Sequence, residues 1–159
     1  MKWCVALALS LWVAEARADS SVESVAPPTS AVGGGVGFPG IVHVDYQRWI
    51  GKHTFVELGL TPLLLHNVVS VGLNQELRLS PSSWKTEHGL AVGAEWMHIV
   101  NMGGIAGGPG VQLGYQFRRG WFGMSVSGWV GQAVGGEFSG DGLQSTNVTL
   151  WAVKRAKQP

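Results

Sequence analysis

Residues 69–79 read Val-Ser-Val-Gly-Leu-Asn-Gln-Glu-Leu-Arg-Leu, and apolar and polar side chains alternate along almost the whole stretch. Alternation with a period of two is typical of a β-strand whose two faces meet different surroundings. The same pattern recurs in four further segments, at residues 54–60, 90–97, 111–118 and 122–130. The chain is therefore predicted to be an all-β protein of antiparallel strands.

The composition indicates what each face of these strands meets. Of the 159 residues, 45% are hydrophobic, only 13% are charged and 24 are Gly, whereas a typical soluble domain has about 25% charged residues and about 7% Gly. The polar face consists mostly of small side chains, which suit a crowded interior better than a solvent-exposed surface. The opposite face is aliphatic and aromatic, so we expect it to face lipid while the small polar set packs inside.

The charge balance excludes other classes of protein. Eleven basic and 10 acidic residues leave a formal net charge of +1, which argues against disorder driven by charge repulsion. The basic residues do not cluster along the sequence, so no nucleic-acid partner is expected.

The N-terminal residues have the pattern of an export signal. Lys2 precedes the apolar run 3–14, and Ala16-Arg17-Ala18 has the form of a cleavage site, which predicts a signal peptide over residues 1–18. The only cysteine, Cys4, lies within it, so the mature chain is expected to lack disulfides and thiolate chemistry. Residues 19–30 are predicted to be a flexible lead-in, residues 31–154 the folded unit and residues 155–159 a tail.

Strands that face lipid must form a closed barrel, because an open sheet edge leaves backbone groups unpaired in hydrocarbon. Seven strands are predicted near residues 40–49, 53–61, 67–79, 87–99, 109–118, 121–132 and 143–154. Bacterial barrels have an even number of strands, so the Gly-rich residues 31–38 are predicted to supply an eighth, with one long strand bent across Pro39 as the alternative. The prediction is an antiparallel up-and-down transmembrane β-barrel of eight strands. Compact connections at 50–52, 80–86 and 119–120 are expected at the periplasmic end, and longer ones at 62–66, 100–108 and 133–142 at the outer end.

Two groups of side chains are predicted to have distinct places in this barrel. Tryptophans at strand ends are expected to form an aromatic belt, namely Trp49, Trp84, Trp121 and Trp151. A polar network is expected in the lumen, formed by Glu57, Glu76, Arg78, Glu95, Gln112 and Arg118. Within it, Glu76 is the expected partner of Arg78 or Arg118, whereas Glu57 and Glu95 should lie on either side of Gly72 and repel each other.

These features together resemble the small eight-stranded outer-membrane β-barrel proteins of Gram-negative bacteria over about residues 31–154. The resemblance implies a place in the bacterial cell outer membrane, with its lipid bilayer as the partner. Barrels of this kind serve as anchors, adhesins, lipid-modifying enzymes and narrow pores. The last aromatic residue here is Trp151, whereas such barrels usually end on an aromatic residue.

One segment bears on catalysis. His98-Ile99-Val100-Asn101 is similar to the His-x-Ser-Asn segment of the outer-membrane lipid A deacylases, but valine occupies the place of the nucleophilic serine. No catalytic residue is therefore predicted, and the protein is expected not to be an enzyme.

No metal or cofactor site is predicted either, because the histidines do not have metal-ligand spacing. They are His43, His53, His66, His88 and His98. The leading hypothesis is a non-enzymatic outer-membrane barrel whose lumen is filled by side chains and which has a structural or interaction role. The alternatives are a lipid A-acting enzyme near His98 and a soluble secreted β-barrel that binds an apolar ligand.

Overall fold

A computed structural model describes residues 26–38, 42–62, 66–79, 86–101, 104–134 and 139–156. Eight strands make up the fold: β1 (Pro28–Phe38), β2 (His43–Trp49), β3 (Thr54–Pro62), β4 (His66–Arg78), β5 (Thr86–Asn101), β6 (Gly104–Arg119), β7 (Phe122–Gln132) and β8 (Gly142–Arg155). Each strand runs antiparallel to the strands that precede and follow it, and β8 pairs with β1 to close the barrel. The described residues contain no helix with the length and apolar character needed to cross a bilayer.

The predicted eight-stranded barrel is confirmed, whereas the alternative of one strand bent across Pro39 is wrong. Phe38 ends β1 and His43 begins β2, and the two strands pair from Gly35 opposite His43 onward. The predicted signal peptide lies outside the described residues. The predicted boundary of the lead-in is too late, since β1 already begins at Pro28, which pairs with Arg155. Proline is tolerated at the first position of a strand, because it can occupy that place without breaking the ladder.

The two ends of the barrel are set by this topology. Pro28 and Arg155 lie together at one end, which we call the terminal end, and the connections after β2, β4 and β6 lie there too. The opposite end, called the loop end, holds the connections after β1, β3, β5 and β7. The connections predicted to share this end do so, but the predicted contrast in length is wrong, because the terminal end includes 79–85 while the loop end includes the short connections 63–65 and 102–103.

The predicted loop at 100–108 is wrong, because most of it belongs to a long hairpin. Val100 pairs with Ile105 and His98 with Gly107, so β5 and β6 continue almost to their connection. The glycines that suggested a loop instead allow close strand packing. A Cβ atom at Gly108 would lie 1.8 Å from the Gln132 carbonyl oxygen of β7, so only glycine fits at this inward position.

The alternation of the strands is confirmed as a separation of inner and outer faces. The outward-facing Val71 and Leu113 are 48% and 59% exposed, whereas the neighbouring Gly72 and Gln112 are buried. Exposed aliphatic and aromatic side chains cover the middle of the outer face on all eight strands. We call this continuous surface the apolar band.

Polar side chains border the apolar band at both ends of the barrel. The outward residues towards the terminal end include Ser30, Arg48, Thr54, Arg119 and Lys154, and those towards the loop end include Asn67, Gln132, Gln144 and Thr146. A wide apolar band with polar borders is the outer surface that a bilayer-spanning barrel has.

Inward-facing side chains pack in the lumen towards both ends of the barrel. An apolar cluster towards the terminal end consists of Ala31, Trp49, Phe55, Ala91, Trp151 and Val153. A second, towards the loop end, consists of Val68, Met97 and Trp129, with Ile99 and Leu143 packed against it. Ionisable and amide side chains occupy the space around these two clusters.

Gly35 of β1 is one of the positions at which the barrel needs the absence of a side chain. A Cβ atom there would lie 1.8 Å from the Val148 carbonyl oxygen of β8 and 2.9 Å from His43 Nε2. The neighbouring Gly34 points outward, and its nearest atom would be 3.4 Å away.

Gly35→Ala is therefore expected to strain the pairing that closes the barrel and to lower the free energy of unfolding by about 1–3 kcal/mol. Gly34→Ala is the matched control and should change stability by less than about 0.5 kcal/mol. Urea unfolding of both variants measures the difference. Equal stabilities of the two variants would contradict this account of the β1–β8 contact.

Candidate functional site in the barrel interior

An ion-pair cluster lies inside the terminal end of the barrel. Arg118 of β6 donates from Nε to Glu87 Oε2 at 3.2 Å and from Nη1 to Gln116 Oε1 at 3.0 Å, and its Nη2 contacts Glu76 Oε1. The guanidinium carbon also lies 5.2 Å from the centre of the Trp49 ring. Because Arg118, Glu76 and Glu87 are all buried, this arrangement satisfies charges that would otherwise be costly in the barrel interior.

Arg155, the last residue of β8, connects the same cluster to two nearby backbone segments. It donates to Glu87 Oε2 at 2.8 Å, to the Ala26 carbonyl at 2.9 Å and to the Gly120 carbonyl in the β6–β7 turn at 3.0 Å. One side chain thereby joins the approach to β1, the end of β8 and the turn before β7. We call the set Glu76, Arg78, Glu87, Arg118 and Arg155 the arginine network.

The predicted pairing of Glu76 with Arg118 is confirmed, whereas a pairing of Glu76 with Arg78 is wrong. The nearest carboxylate to Arg78 is Glu87, with Arg78 Nη2 3.8 Å from Glu87 Oε1. Arg78 and Glu76 are two residues apart on one strand, so their side chains stand side by side, and Arg118 reaches Glu76 across the lumen. Sequence reasoning missed Glu87, although it lies directly opposite Arg118 in the β5–β6 register.

Three carboxylates share the middle of the lumen, and we call Asp45, Glu57 and Glu95 the carboxylate layer. As predicted, Glu57 and Glu95 lie on either side of Gly72, which pairs with both. Glu57 accepts a hydrogen bond from Gln47 Nε2 at 3.0 Å and another from the side chain of Gln112. Amides therefore supply the hydrogen bonds, but no cation offsets the charge of Glu57 among its described contacts.

Asp45 of the carboxylate layer also belongs to a buried group that the sequence did not indicate. His43 Nε2 lies 2.8 Å from Thr149 Oγ1 and 3.1 Å from Asp45 Oδ2, and the Thr149 hydroxyl donates to the same Asp45 oxygen at 3.3 Å. A carboxylate oxygen only accepts, so the proton on His43 is assigned to Nε2. His43 and Asp45 share one face of β2 because they are two residues apart, which is the signal that could have revealed them.

The geometry of this group differs from that of a catalytic triad. A triad uses one imidazole nitrogen for the carboxylate and the other for the nucleophilic hydroxyl, whereas here both partners meet Nε2. The second nitrogen, Nδ1, is buried without a hydrogen-bond partner in the described part of the chain. The arrangement holds a buried histidine between a carboxylate and a hydroxyl that share one of its nitrogens.

The interior offers little room for a ligand. A cavity of about 30 Å³ lies towards the loop end beside His43, Asp45, Ser70 and Glu95, which is room for one or a few water molecules. Across the described ranges, no group of three or more His, Cys, Asp and Glu side chains is arranged to hold a metal ion.

The predicted aromatic belt is partly wrong. Trp49 and Trp151 point inward and are buried, Trp49 against Phe55 at 5.2 Å and Trp151 with its Nε1 donating to Ser125 Oγ at 2.8 Å. Their positions along β2 and β8 give them the parity of the lumen, where the Trp151 ring fills space left by Gly33 of β1. Trp121, in the turn after β6, is 74% exposed, and Trp84 lies outside the described residues.

The segment that resembles a lipid A deacylase lies on the outer face. His98 and Val100 of β5 are at outward positions, and Val100 is 38% exposed. His98 faces the side-chain-free Gly107 of β6, since a Cβ atom at Gly107 would lie 2.7 Å from His98 Nδ1. Apolar Val100 stands where that chemistry needs a hydroxyl.

The arginine network generates a test of its pairing. Arg118→Met leaves the Glu76 carboxylate buried without its cation, and we expect the free energy of unfolding to fall by about 3–5 kcal/mol. The double variant Arg118→Met, Glu76→Gln should lose less, because Glu87 keeps Arg155 and no uncompensated carboxylate remains. Urea unfolding with a double-mutant cycle measures the coupling. Arg119→Met, at the next and outward position, is the control, and strict additivity of the two changes would refute the pairing.

Replacing Glu by Gln is expected to change the free energy of unfolding in opposite directions in the carboxylate layer and in the arginine network. Glu57→Gln removes one of three like charges while keeping an amide for Gln47, so we expect the protein to gain about 1 kcal/mol of stability near pH 8. The gain should shrink as the pH falls towards 4, because a protonated carboxyl carries no charge. The same substitution in the arginine network, Glu87→Gln, should destabilise the protein. Urea unfolding at both pH values tests this, and a loss of stability on Glu57→Gln would overturn the account of the layer.

Comparison with known proteins adds no relative to this picture. The chain matches no protein-family model, no curated protein and no solved structure.

Proposed function

We propose that this protein is a non-enzymatic β-barrel of the bacterial outer membrane, which spans the bilayer and has a structural or interaction role. The observation that carries the proposal is the apolar band, which surrounds a barrel whose interior holds the acidic side chains of the described strands. A soluble protein rarely exposes a continuous apolar surface of this extent. The charge distribution is thus inverted relative to that of a water-soluble barrel.

The filled lumen supports a structural role over that of a solute pore. An eight-stranded barrel has an interior just wide enough for side chains to fill, and here Trp49, Phe55 and the arginine network occupy the terminal end. The small cavity near His43 does not extend this space to the size of a solute. The protein in this proposal acts through its surface and its exposed ends.

The lumen also favours the membrane barrel over a secreted carrier of apolar ligands. Such a carrier needs an apolar cavity, typically of about 300–1,000 Å³, whereas the interior here is lined by carboxylates, amides and arginines. The predicted signal peptide, and the predicted periplasmic position of the terminal end, are consistent with export to the outer membrane.

The proposal is tested by producing the full chain in a Gram-negative host. We expect it in the outer-membrane fraction, as a band that migrates faster before heating than after, as compact barrels do. Val71→Arg places a charge at the middle of the apolar band and should destabilise the folded barrel in vesicles by about 2–4 kcal/mol. The heat-sensitive folded band should weaken accordingly.

Gln144→Arg is the matched control, because it introduces the same charge on the outer face beyond the apolar band. Its cost near the interface should be about 0–1 kcal/mol. If the wild-type chain is recovered in the soluble fraction without detergent, or if Val71→Arg is as harmless as Gln144→Arg in vesicles, the membrane proposal fails.

A further inference from the structure

The charged side chains of the strands are sorted between the two faces of the barrel. The acidic residues of the described strands all point inward: Asp45, Glu57, Glu76, Glu87 and Glu95. The outward Lys and Arg residues of those strands are Arg48, Arg119 and Lys154, all of them exposed. On the outer face of the described strands, positive charge is therefore not offset by any carboxylate.

These three cations share one level of the barrel, at the border between the apolar band and the terminal end. Ser30 of β1 pairs with Arg48 on one side and with Lys154 on the other, which places the Cα atoms of the two basic residues about 10 Å apart across three adjacent strands. Arg119 of β6 pairs with Phe122, which in turn pairs with Ala152, two residues before Lys154. We call Arg48, Arg119 and Lys154 the basic rim.

No described side chain forms an ion pair with the charged groups of the basic rim. None of the hydrogen bonds or ion pairs found among the described residues uses the charged groups of these three side chains. The inward arginines differ in this respect, since Arg118 and Arg155 each hold a carboxylate. The rim cations are thus free to meet a ligand of opposite charge.

In the part of the chain that the structure describes, the loop end carries no matching set of cations. The outward residues that border the apolar band there, Asn67, Gln132, Gln144 and Thr146, are uncharged. The two borders of the band would therefore attract different headgroups. Among the described residues, the cations at the depth where the apolar surface stops lie at the terminal end.

An exposed aromatic residue marks the same level. Trp121 is 74% exposed and meets Phe122 edge to face, with ring centres 6.2 Å apart. The Trp121 carbonyl accepts a hydrogen bond from Val153 N at 2.7 Å, which places it beside Lys154. Tryptophan favours the headgroup region of a bilayer, so the cations next to it lie at the depth of phosphate groups.

We propose that the basic rim is a binding surface for anionic phospholipid headgroups. Arg48 and Lys154, which flank Ser30, bind one headgroup between them. Arginine forms paired hydrogen bonds with phosphate oxygens, lysine adds a compact positive charge, and the serine hydroxyl is a further donor. This inference rests on the proposed membrane insertion and adds to it the chemistry of the lipid at one border. The rim selects headgroup charge, whereas the apolar band accepts any acyl chain.

The test uses the full mature barrel in phosphatidylcholine vesicles with trace spin-labelled lipids. Electron paramagnetic resonance gives the association of spin-labelled phosphatidylglycerol relative to spin-labelled phosphatidylcholine at the protein surface. Each surface cation strengthens attraction to an anionic headgroup by about fivefold, so the wild type should prefer phosphatidylglycerol by at least that factor. Arg48→Gln, Arg119→Gln, Lys154→Gln should bring the ratio close to one.

A charge-preserving variant, Arg48→Lys with Arg119→Lys, is the matched control and should keep the preference. The single variants Arg48→Gln and Lys154→Gln should each lower the ratio, which gives a result even if the triple variant does not fold. Raising the salt concentration should weaken the preference in the wild type.

The gel migration of each sample is read first, so the two proposals can fail separately. A wild-type chain that does not insert refutes both the membrane proposal and this one. An inserted, heat-modifiable wild type without a preference for phosphatidylglycerol refutes the rim alone. So does an inserted triple variant that retains the full preference.

Discussion

The pairing of β1 with β8 is the constraint on which the rest of the structure depends. Without it, both strands would present a row of unpaired backbone N–H and C=O groups at an open sheet edge. Ten pairs of residues join the two strands, from Pro28 opposite Arg155 to Phe38 opposite Thr146. Closure creates the lumen, and the limited space of the lumen restricts which side chains can occupy the inward-facing position at every second residue.

A lumen of this size favours small residues and penalises uncompensated charge. Gly33, Gly35 and Gly37 of β1 leave space that Trp151, Thr149 and Asn147 of β8 fill. The ionic side chains that do enter are held by partners, as with Arg118, or share amide hydrogen bonds, as with Glu57. The interior is thus packed within one steric limit, by small residues beside large ones and by ionic groups beside their partners.

Much of this could be predicted from the sequence, because strand parity depends only on local alternation. The outward set of β4 and the position of Gly72 between Glu57 and Glu95 follow from parity and from the length of the turns. The belt prediction for Trp49 and Trp151 depends on their places near strand ends and disregards parity, which puts them on the same faces as the inward Gln47 and Thr149. Glycine-rich stretches were equally ambiguous, since Gly107 and Gly108 serve close strand packing as readily as a loop.

The interior contacts were harder to predict, because they depend on strand tilt and on the reach of long side chains across the lumen. The pairing of Arg118 with Glu76, on the two neighbours of β5, is among those that the sequence predicts, whereas the second partner of Arg118, Glu87, is not. The group of His43, Asp45 and Thr149 brings β2 together with β8, strands that are neighbours of β1 but not of each other. Such contacts appear only once the circle of strands is complete.

The seam between the first and last strands also has a kinetic consequence. The other strand pairs are hairpins with short connections, whereas this seam joins residues more than 100 positions apart, such as Phe38 and Thr146. Raising a loop from about five residues to about a hundred costs roughly 2.5 kcal/mol of chain entropy, so the hairpins should assemble early and the seam last. Until the seam forms, the partly assembled barrel has two open sheet edges, whose unpaired backbone groups can pair with other chains. The hydrogen bond from Arg155 to the Ala26 carbonyl can form only after β8 has met β1, whereas the hydrogen bond from Arg155 to Gly120 needs only the neighbouring strand β7.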